Sequence, residues 1–301
     1  ERFYEDATRI LRALRFACQL SFGIEQNTWE ALKKSVPLLN NTIMQEDGRH
    51  AYAIAREMIG REFLLGFVQH PTHAVNIWKE AGVLDLFLPE VAHLPTNFFQ
   101  KTLETLHTLQ RPALLAQHNL PAPSPTLLVA ALFTYTGDDR RTHAHTTCKN
   151  LYFHQFGKNH FAHINCKDVF WLVDELHFFE EQDPAAMRPS HFEKKFCNER
   201  GQDLLLFMHA VAITSGKHSI ARERLHTARR ILEQMMKTIC PDGDARLPHL
   251  INGNDLQQLG MKPGPHFREI KNHVRDAQLI GKIQEKDEAL EIARHYIRIN
   301  T

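Results

Sequence analysis

"HAVNIWKEAG", residues 73–82, decides the class of fold. Ala74, Ile77, Trp78 and Ala81 recur at i, i+3, i+4 and i+7, the spacing that puts side chains on one face of an α-helix. Gly82 stands where such a helix would stop. The same period runs through "AYAIAREMIG" (51–60), "DVFWLVDELHFF" (168–179) and "HTARRILEQMMKTI" (226–239), and sustained period-two alternation is nearly absent. The chain is therefore expected to be all-α. Asn27, with Glu30 three residues on, predicts a capping box opening the helix "WEALKKSV" (29–36).

With 301 residues and 43% hydrophobic content, the chain can build two or three modest helical cores rather than one large one. A multi-domain protein is expected. "NLPAPSPT" (119–126) carries three prolines in eight residues and reads as a rigid loop; "ICPDGDARLP" (239–248) is the stronger boundary. Lys+Arg and Asp+Glu nearly balance at 36 and 35, so any affinity for nucleic acid must come from local asymmetry. Cys18, Cys148, Cys166, Cys197 and Cys240 are scattered with no CxxC, which excludes a zinc ribbon and implies a reducing compartment without structural disulfides. No apolar run is long enough for a membrane span and the N-terminus is charged rather than signal-like, so a cytoplasmic location is expected.

"EDATRILRALRF" (5–16) is an odd opening for a hydrophobic helix, with five charges in twelve residues. In a helix Asp6, Arg9 and Arg12 follow at i, i+3 and i+6, so neighbouring members lie side by side. An Asp–Arg surface pair worth a few tenths of a kcal/mol is the plain reading. The donor and acceptor inventory gives a sharper one, because a carboxylate only accepts and a guanidinium only donates. Adenine and cytosine each offer an amino donor beside a ring-nitrogen acceptor, whereas guanine and uracil offer a carbonyl beside a ring N–H. Asp6 with Arg9 could therefore bind A or C and reject G and U.

The segment "RFYEDATRILRALRFACQLSFGIEQNT" (2–28) resembles the one that follows the catalytic head of class II tRNA nucleotidyltransferases (CCA-adding enzymes) and bacterial poly(A) polymerases. The family pattern is Glu-Asp, two residues, Arg, two residues, Arg, then Arg-Phe. The resemblance implies that Asp6 and Arg9 act as a protein template for incoming ATP or CTP, with Arg12 matching the next Arg of the pattern. "HAVNIWKEAGVLDLFLPEV" (73–91) is similar to the family's neck, and "LINGNDLQQLGMKPGPHFREIKNHVRDAQLIGKI" (250–283) to its tail. Residues 1–92 are then a neck with the nucleotide-template helix, 93–221 a helical body and 222–301 an RNA-binding tail, in an elongated array. Between Gly48 and Glu57, Arg49 and Arg56 can be matched, but the family's Glu-Arg pair and following Glu-Leu are not intact.

Two family features are not found. The chemistry needs DxD carboxylates from a head domain to hold two divalent ions. Asp242, Gly243 and Asp244 read DxD but sit in a Pro/Gly loop with no flanking strand. The Mg²⁺ that accompanies ATP or CTP is therefore expected only through a head preceding Glu1, and the chain alone is expected to be inactive, with no catalytic residue. Some members also carry a metal-dependent His-Asp phosphohydrolase body. In "FFQKTLETL" (98–106) and "ALFTYTGD" (131–138) its ligand positions hold Lys101, Thr134 and Tyr135, which cannot replace imidazole and carboxylate. A degenerate body without metal is expected. In "THAHTTCKNLYFHQFGKNHFAHINC" (142–166) a helix could bring at most two of His160, His163 and Cys166 to one ion, so ordinary histidines are expected. The aromatic run at 168–179 is expected in the core.

From Lys217 to the C-terminus 15 Lys/Arg face 11 Asp/Glu, with Arg222, Arg224, Arg229 and Arg230 close together. In "LGMKPGPHFREIKNHVR" (259–275) Gly260 ends a helix, Gly264 is read as permitting close backbone approach, and Pro265 suits a first helical position. That leaves free N–H groups where a phosphate could dock, surrounded by Lys262, His266, Arg268 and Lys271. The expected partners are a tRNA or other RNA 3′ end, ATP or CTP, and the catalytic head. CCA addition, A-only addition and poly(A) synthesis stay open, since A and C share the edge that Asp6 and Arg9 would read. The alternative is a headless paralogue that binds RNA without chemistry.

Overall fold

The computed structural model describes residues 2–111, 115, 121–155, 163–216, 220–240 and 246–300. His160 and the Asp242–Gly243–Asp244 run lie outside them. The chain forms two compact units, the first Glu1–His177 with Leu206–Lys217, the second Phe178–Leu205 with His218–Thr301. Segment 1–92 falls within the first unit, segment 222–301 within the second, and segment 93–221 contributes to both.

The first unit opens with α1 (Arg2–Glu5), α2 (Thr8–Leu20) and α3 (Gln26–Ser35), then a small antiparallel hairpin of β1 (Thr42–Met44) and β2 (His50–Tyr52). α4 (Arg56–Phe67), α5 (Pro71–Glu80), α6 (Val83–Phe87), α7 (Pro89–Ala92), α8 (Thr96–Leu109), α9 (Pro125–Ala131), α10 (Arg140–Asn150) and α11 (Cys166–Asp174) follow. The two three-residue strands are the only departure from helix among the described elements, and the all-α expectation holds. α5 is the helix of the 73–82 stretch: Pro71 opens it, and Ala74, Val75, Ile77 and Trp78 are buried. Gly82, at φ 79, closes it by donating its N–H to the Lys79 carbonyl at 2.9 Å.

α3 differs at its start from the expected Asn27 cap. Glu25 is the cap, and its carboxylate accepts from the Asn27 N–H at 2.9 Å and the Thr28 N–H at 2.8 Å. A longer side chain two residues earlier satisfies the orphan donors, so the helix begins before Asn27.

The core of this unit forms where α2 packs on α4 and α5. α2 buries Ile10, Leu11, Leu14, Ala17 and Cys18, leaving Phe16 exposed beneath the Arg15 guanidinium, 4.1 Å from its ring. Phe63 stacks on Phe67 at 5.0 Å and meets Trp78 edge-on at 4.8 Å. α4 comes so close to Leu151 that a Cβ on Gly60 would lie 2.0 Å from the Leu151 carbonyl oxygen. Of the 168–179 run, Val169, Leu172, Val173, Leu176, Phe178 and Phe179 are buried.

The second unit contains α12 (Phe178–Glu181), α13 (Pro189–Phe196), α15 (Ile220–Ile239), α16 (Gly253–Gln258), α17 (Pro265–Leu279) and α18 (Lys286–Asn300); α14 (Glu199–Thr214) begins in it. Leu256, Ile270, Val274, Ile283, Ala289 and Ala293 form an apolar cluster. Phe178, Phe179, Phe192 and Phe196 form an aromatic group beside α13. A buried ion pair ties α13 to α17: Arg275 donates through Nε to Glu193 at 2.9 Å and through a terminal nitrogen at 2.5 Å. No helix among the described residues is long and apolar enough to cross a membrane.

Candidate functional site

Asp6 lies in the break between α1 and α2, not on the helix that carries Arg9 and Arg12. The expected continuous i, i+3, i+6 row is therefore corrected at its first member. The cause is local: Asp6 Oδ1 accepts from the Thr8 N–H at 2.9 Å and the Thr8 hydroxyl at 2.5 Å. This Asx-type turn satisfies a donor that a helix start leaves orphaned, and it competes with continued helix. The Thr8 hydroxyl, together with its N–H and the Arg9 and Arg12 charges, outweighs burial and holds the Asp6 carboxyl below its ordinary value. Asp6 is an acceptor at neutral pH.

With Oδ1 engaged by Thr8, the second oxygen, Oδ2, stands 3.9 Å from Arg9 Nε, too far for a hydrogen bond. Arg9 instead donates to the Glu5 carboxylate and the Arg2 carbonyl, each at 3.1 Å. A carboxylate oxygen and a guanidinium N–H thus sit next to each other without satisfying each other. That is the arrangement a planar donor–acceptor edge can bridge.

Arg12 faces a different feature, a cavity of about 370 Å³ between α2 and α4 lined by Thr8, Arg12, Ala55, Glu57, Met58, Arg61 and Glu62. Asp6 and Arg9 do not line it. Glu57 and Arg61 were not identified from the sequence as site residues, although their i, i+4 spacing puts both on one face of α4. Glu62 accepts from Arg15 Nε at 2.7 Å, with both side chains largely buried, so α2 and α4 are locked together beside the cavity. Arg56, one of the matched residues of the weak segment, lies over the Tyr52 ring at 3.6 Å and donates to Asn40, which makes it a support for the hairpin.

The positions of the would-be phosphohydrolase ligands serve packing. Thr134 is buried and donates to the Ala131 carbonyl at 2.9 Å, and the Tyr135 hydroxyl meets Thr214 at 3.1 Å. Lys101 lies on α8, where its carbonyl accepts from Thr105. Among the described residues no group of three or more His, Cys, Asp and Glu converges to hold a metal ion. Lys101, Thr134 and Tyr135 do not fit a divalent-ion site.

In the second unit Lys262, His266, Arg268 and Lys271 are all exposed around the start of α17, and Pro265 is its first residue. His266 Nδ1 lies 3.4 Å from Glu269. Gly264 is corrected: its φ of 179° is extended backbone open to any residue, and an added Cβ would meet only the Lys262 oxygen at 3.9 Å. The other basic group is split by packing. Arg224 donates to the Phe179 and Glu180 carbonyls at 3.2 and 2.9 Å, and Arg229 is half-buried. The basic side chains at the start of α17 are the better-defined exposed cationic surface.

No family model matches the chain. Over 300 residues, 96% of this chain, it is 25% identical to a CCA-adding enzyme of Streptococcus thermophilus, and the match takes up 60% of that protein. A stretch of 120 residues, 37% of this chain, is 32% identical to a multifunctional CCA protein of Neisseria meningitidis serogroup A, of which it covers 26%. A solved structure of a CCA-adding enzyme with ATP superposes with a TM-score of 0.55 at 15% identity, over 98% of this chain and 61% of that one. The chain spans three-fifths or less of the length of these curated relatives. It is similar in sequence to CCA-adding enzymes and shares the fold of the matched three-fifths of the solved one.

Proposed function

We propose that the chain is the nucleotide-recognising and RNA-binding portion of a template-independent RNA 3′-end nucleotidyltransferase that adds C and A residues from CTP and ATP. The observation that carries this reading is the couple of Asp6 Oδ2 and Arg9 Nε, exposed at the head of α2 and 3.9 Å apart. An adenine or cytosine amino group would donate to Asp6 while the neighbouring ring nitrogen accepts from Arg9. Guanine and uracil would set a carbonyl against the carboxylate and an N–H against the guanidinium, leaving polar groups unpaired on both sides. Thr8 fixes the carboxylate, so the reading edge is held before the base arrives. Arg12, with Glu57 and Arg61, lines the adjoining cavity and sets the polarity of its wall. The cations at the start of α17 would hold the RNA through its backbone, the usual mode for A-form helices. Mg²⁺ would enter with a catalytic head domain, since these residues do not fit it, and no chemical step is assigned to this chain.

The test joins the chain to the head of a CCA-adding enzyme and measures incorporation of all four nucleotides into tRNA. Asp6→Ala and Arg9→Ala should each lower discrimination of A and C against G and U by about 1–3 kcal/mol, roughly 5- to 150-fold. Arg268→Ala should weaken RNA binding and leave base choice unchanged. Retained A and C preference in both variants would reduce the couple to a surface ion pair and sink the reading.

A further inference from the structure

The first unit holds a second chemical feature that nucleotide recognition does not use. Cys148, in the third turn of α10, is buried, and Cys166, the first residue of α11, is half-buried. The two thiols sit where α10 packs on α11, near enough for each to shift the other's ionisation. Both line a cavity of about 580 Å³ shared with His145, Lys149, His163 and Lys167. Two neighbouring thiols share a solvent-reachable space ringed by basic side chains.

We propose that Cys148 and Cys166 form a reversible dithiol–disulfide couple, a site of oxidative modification by hydroperoxides. Cys166 is the attacking thiol. It sits at a helix N-terminus whose amides favour an anion, with Asn165 capping the turn by accepting from the Lys167 N–H at 3.1 Å. The hydrogen bond from Cys148, helped by its own backbone and opposed by burial, pulls the Cys166 thiol below its ordinary value. The same hydrogen bond, with burial, holds Cys148 up as the protonated donor. Burial pushes Cys18 up to about 11 and Cys197 up to about 12, which keeps those thiols inert.

The Cys166 thiolate attacks one peroxide oxygen, forming an S–O bond as the O–O bond breaks and hydroxide leaves. The Cys148 sulfur then attacks the sulfenic sulfur, the S–S bond forms, the S–O bond breaks, and the departing oxygen takes the thiol proton as water. Two thiols lose two electrons and two protons, and hydrogen peroxide is reduced to two waters. The disulfide would tie α10 to α11, already joined by the Arg141–Asp174 ion pair. The chain between them, residues 149–165, would become a closed loop.

The experiment treats the full chain with hydrogen peroxide, blocks remaining thiols with iodoacetamide and maps peptides without reduction. A Cys148–Cys166 linked peptide that disappears with dithiothreitol is expected. Before oxidation, Cys166 should alkylate faster than Cys18, whose thiol burial pushes up to about 11. Cys148→Ser should leave a Cys166 sulfenic acid that dimedone traps, and Cys166→Ser should leave Cys148 unmodified. A first-formed bridge between Cys197 and Cys240, unlinked Cys166 sulfinic acid in the unsubstituted chain, or equal alkylation of Cys166 and Cys18 would overturn the proposal.

Discussion

Arg275→Ala measures what anchors α17, the helix that starts among Lys262, His266 and Arg268. Arg275 is 4% exposed and Glu193 is 14% exposed, and their two charge-assisted hydrogen bonds run at 2.9 and 2.5 Å. The same guanidinium donates to the Leu247 carbonyl at 3.2 Å, the Pro248 carbonyl at 3.3 Å and Gln278 at 2.8 Å. Truncation leaves a carboxylate buried without its counter-charge and the Leu247 carbonyl without this donor, while the Pro248 carbonyl keeps the Gln278 amide at 2.9 Å. The expected loss is about 3–5 kcal/mol, roughly a fifth or more of the ~5–15 kcal/mol that holds an ordinary domain. Urea unfolding should be followed by two signals. Far-UV circular dichroism reports helices of both units, while Trp29, Trp78 and Trp171 all belong to the first. The variant should gain an early dichroism phase and keep its tryptophan midpoint. Replacing both partners, Glu193→Leu with Arg275→Met, should recover most of the loss, because an apolar pair carries no desolvation penalty. A loss under about 1 kcal/mol, the size of an exposed pair, or a double variant no better than the single one, would refute the reasoning.

Gly60→Ala should destabilise the first unit by about 1–3 kcal/mol, because the new methyl would meet the Leu151 backbone rather than a movable side chain. Trp78 packs on Phe63 one turn away, so tryptophan fluorescence reads the loss, and an unchanged midpoint would show that α4 can slide. Asp276 gives a pH dependence: burial pushes its carboxyl up, but Ser190 and Arg188 outweigh it and hold it below the ordinary 3.8. A lowered folded value means the contribution is present above the unfolded value and is lost as pH falls through the folded one. Acid titration of the Asp276→Asn variant by circular dichroism should therefore show a shallower loss below about pH 3.8, and an equally steep limb would contradict it.

Much of the fold was legible because burial and period coincide. In α5 the four residues at helical spacing are inward-facing, and the glycine that ends the pattern carries the positive φ. What failed was choosing among competing polar side chains at a helix start. Asn27 and Glu25 both can cap, and sequence spacing favours Asn27, yet Glu25 reaches two N–H groups at once. The hairpin at residues 42–52 escaped because three-residue strands with exposed side chains have no alternation long enough to register.

The site divides along the same line. Donor and acceptor types at Asp6 and Arg9 follow from residue identity and needed no coordinates. Their geometry did, because helix arithmetic assumes that the helix already exists at Asp6, whereas a Thr two residues on gives that carboxylate a nearer partner. The difference matters chemically. On a continuous helix the two side chains could close on each other as an i, i+3 pair. With Asp6 turned toward Thr8 they stay 3.9 Å apart, and each keeps capacity for a third group. Glu57 and Arg61 were out of reach for another reason: only the packing of α2 on α4 brings them opposite Arg12, and that packing rests on Ile10, Leu14, Phe63 and the buried Arg15–Glu62 pair. The apolar pattern fixes that these helices bury a face, but the partner for that face is settled by the whole unit, so charges that meet across a cavity are the last feature a sequence discloses.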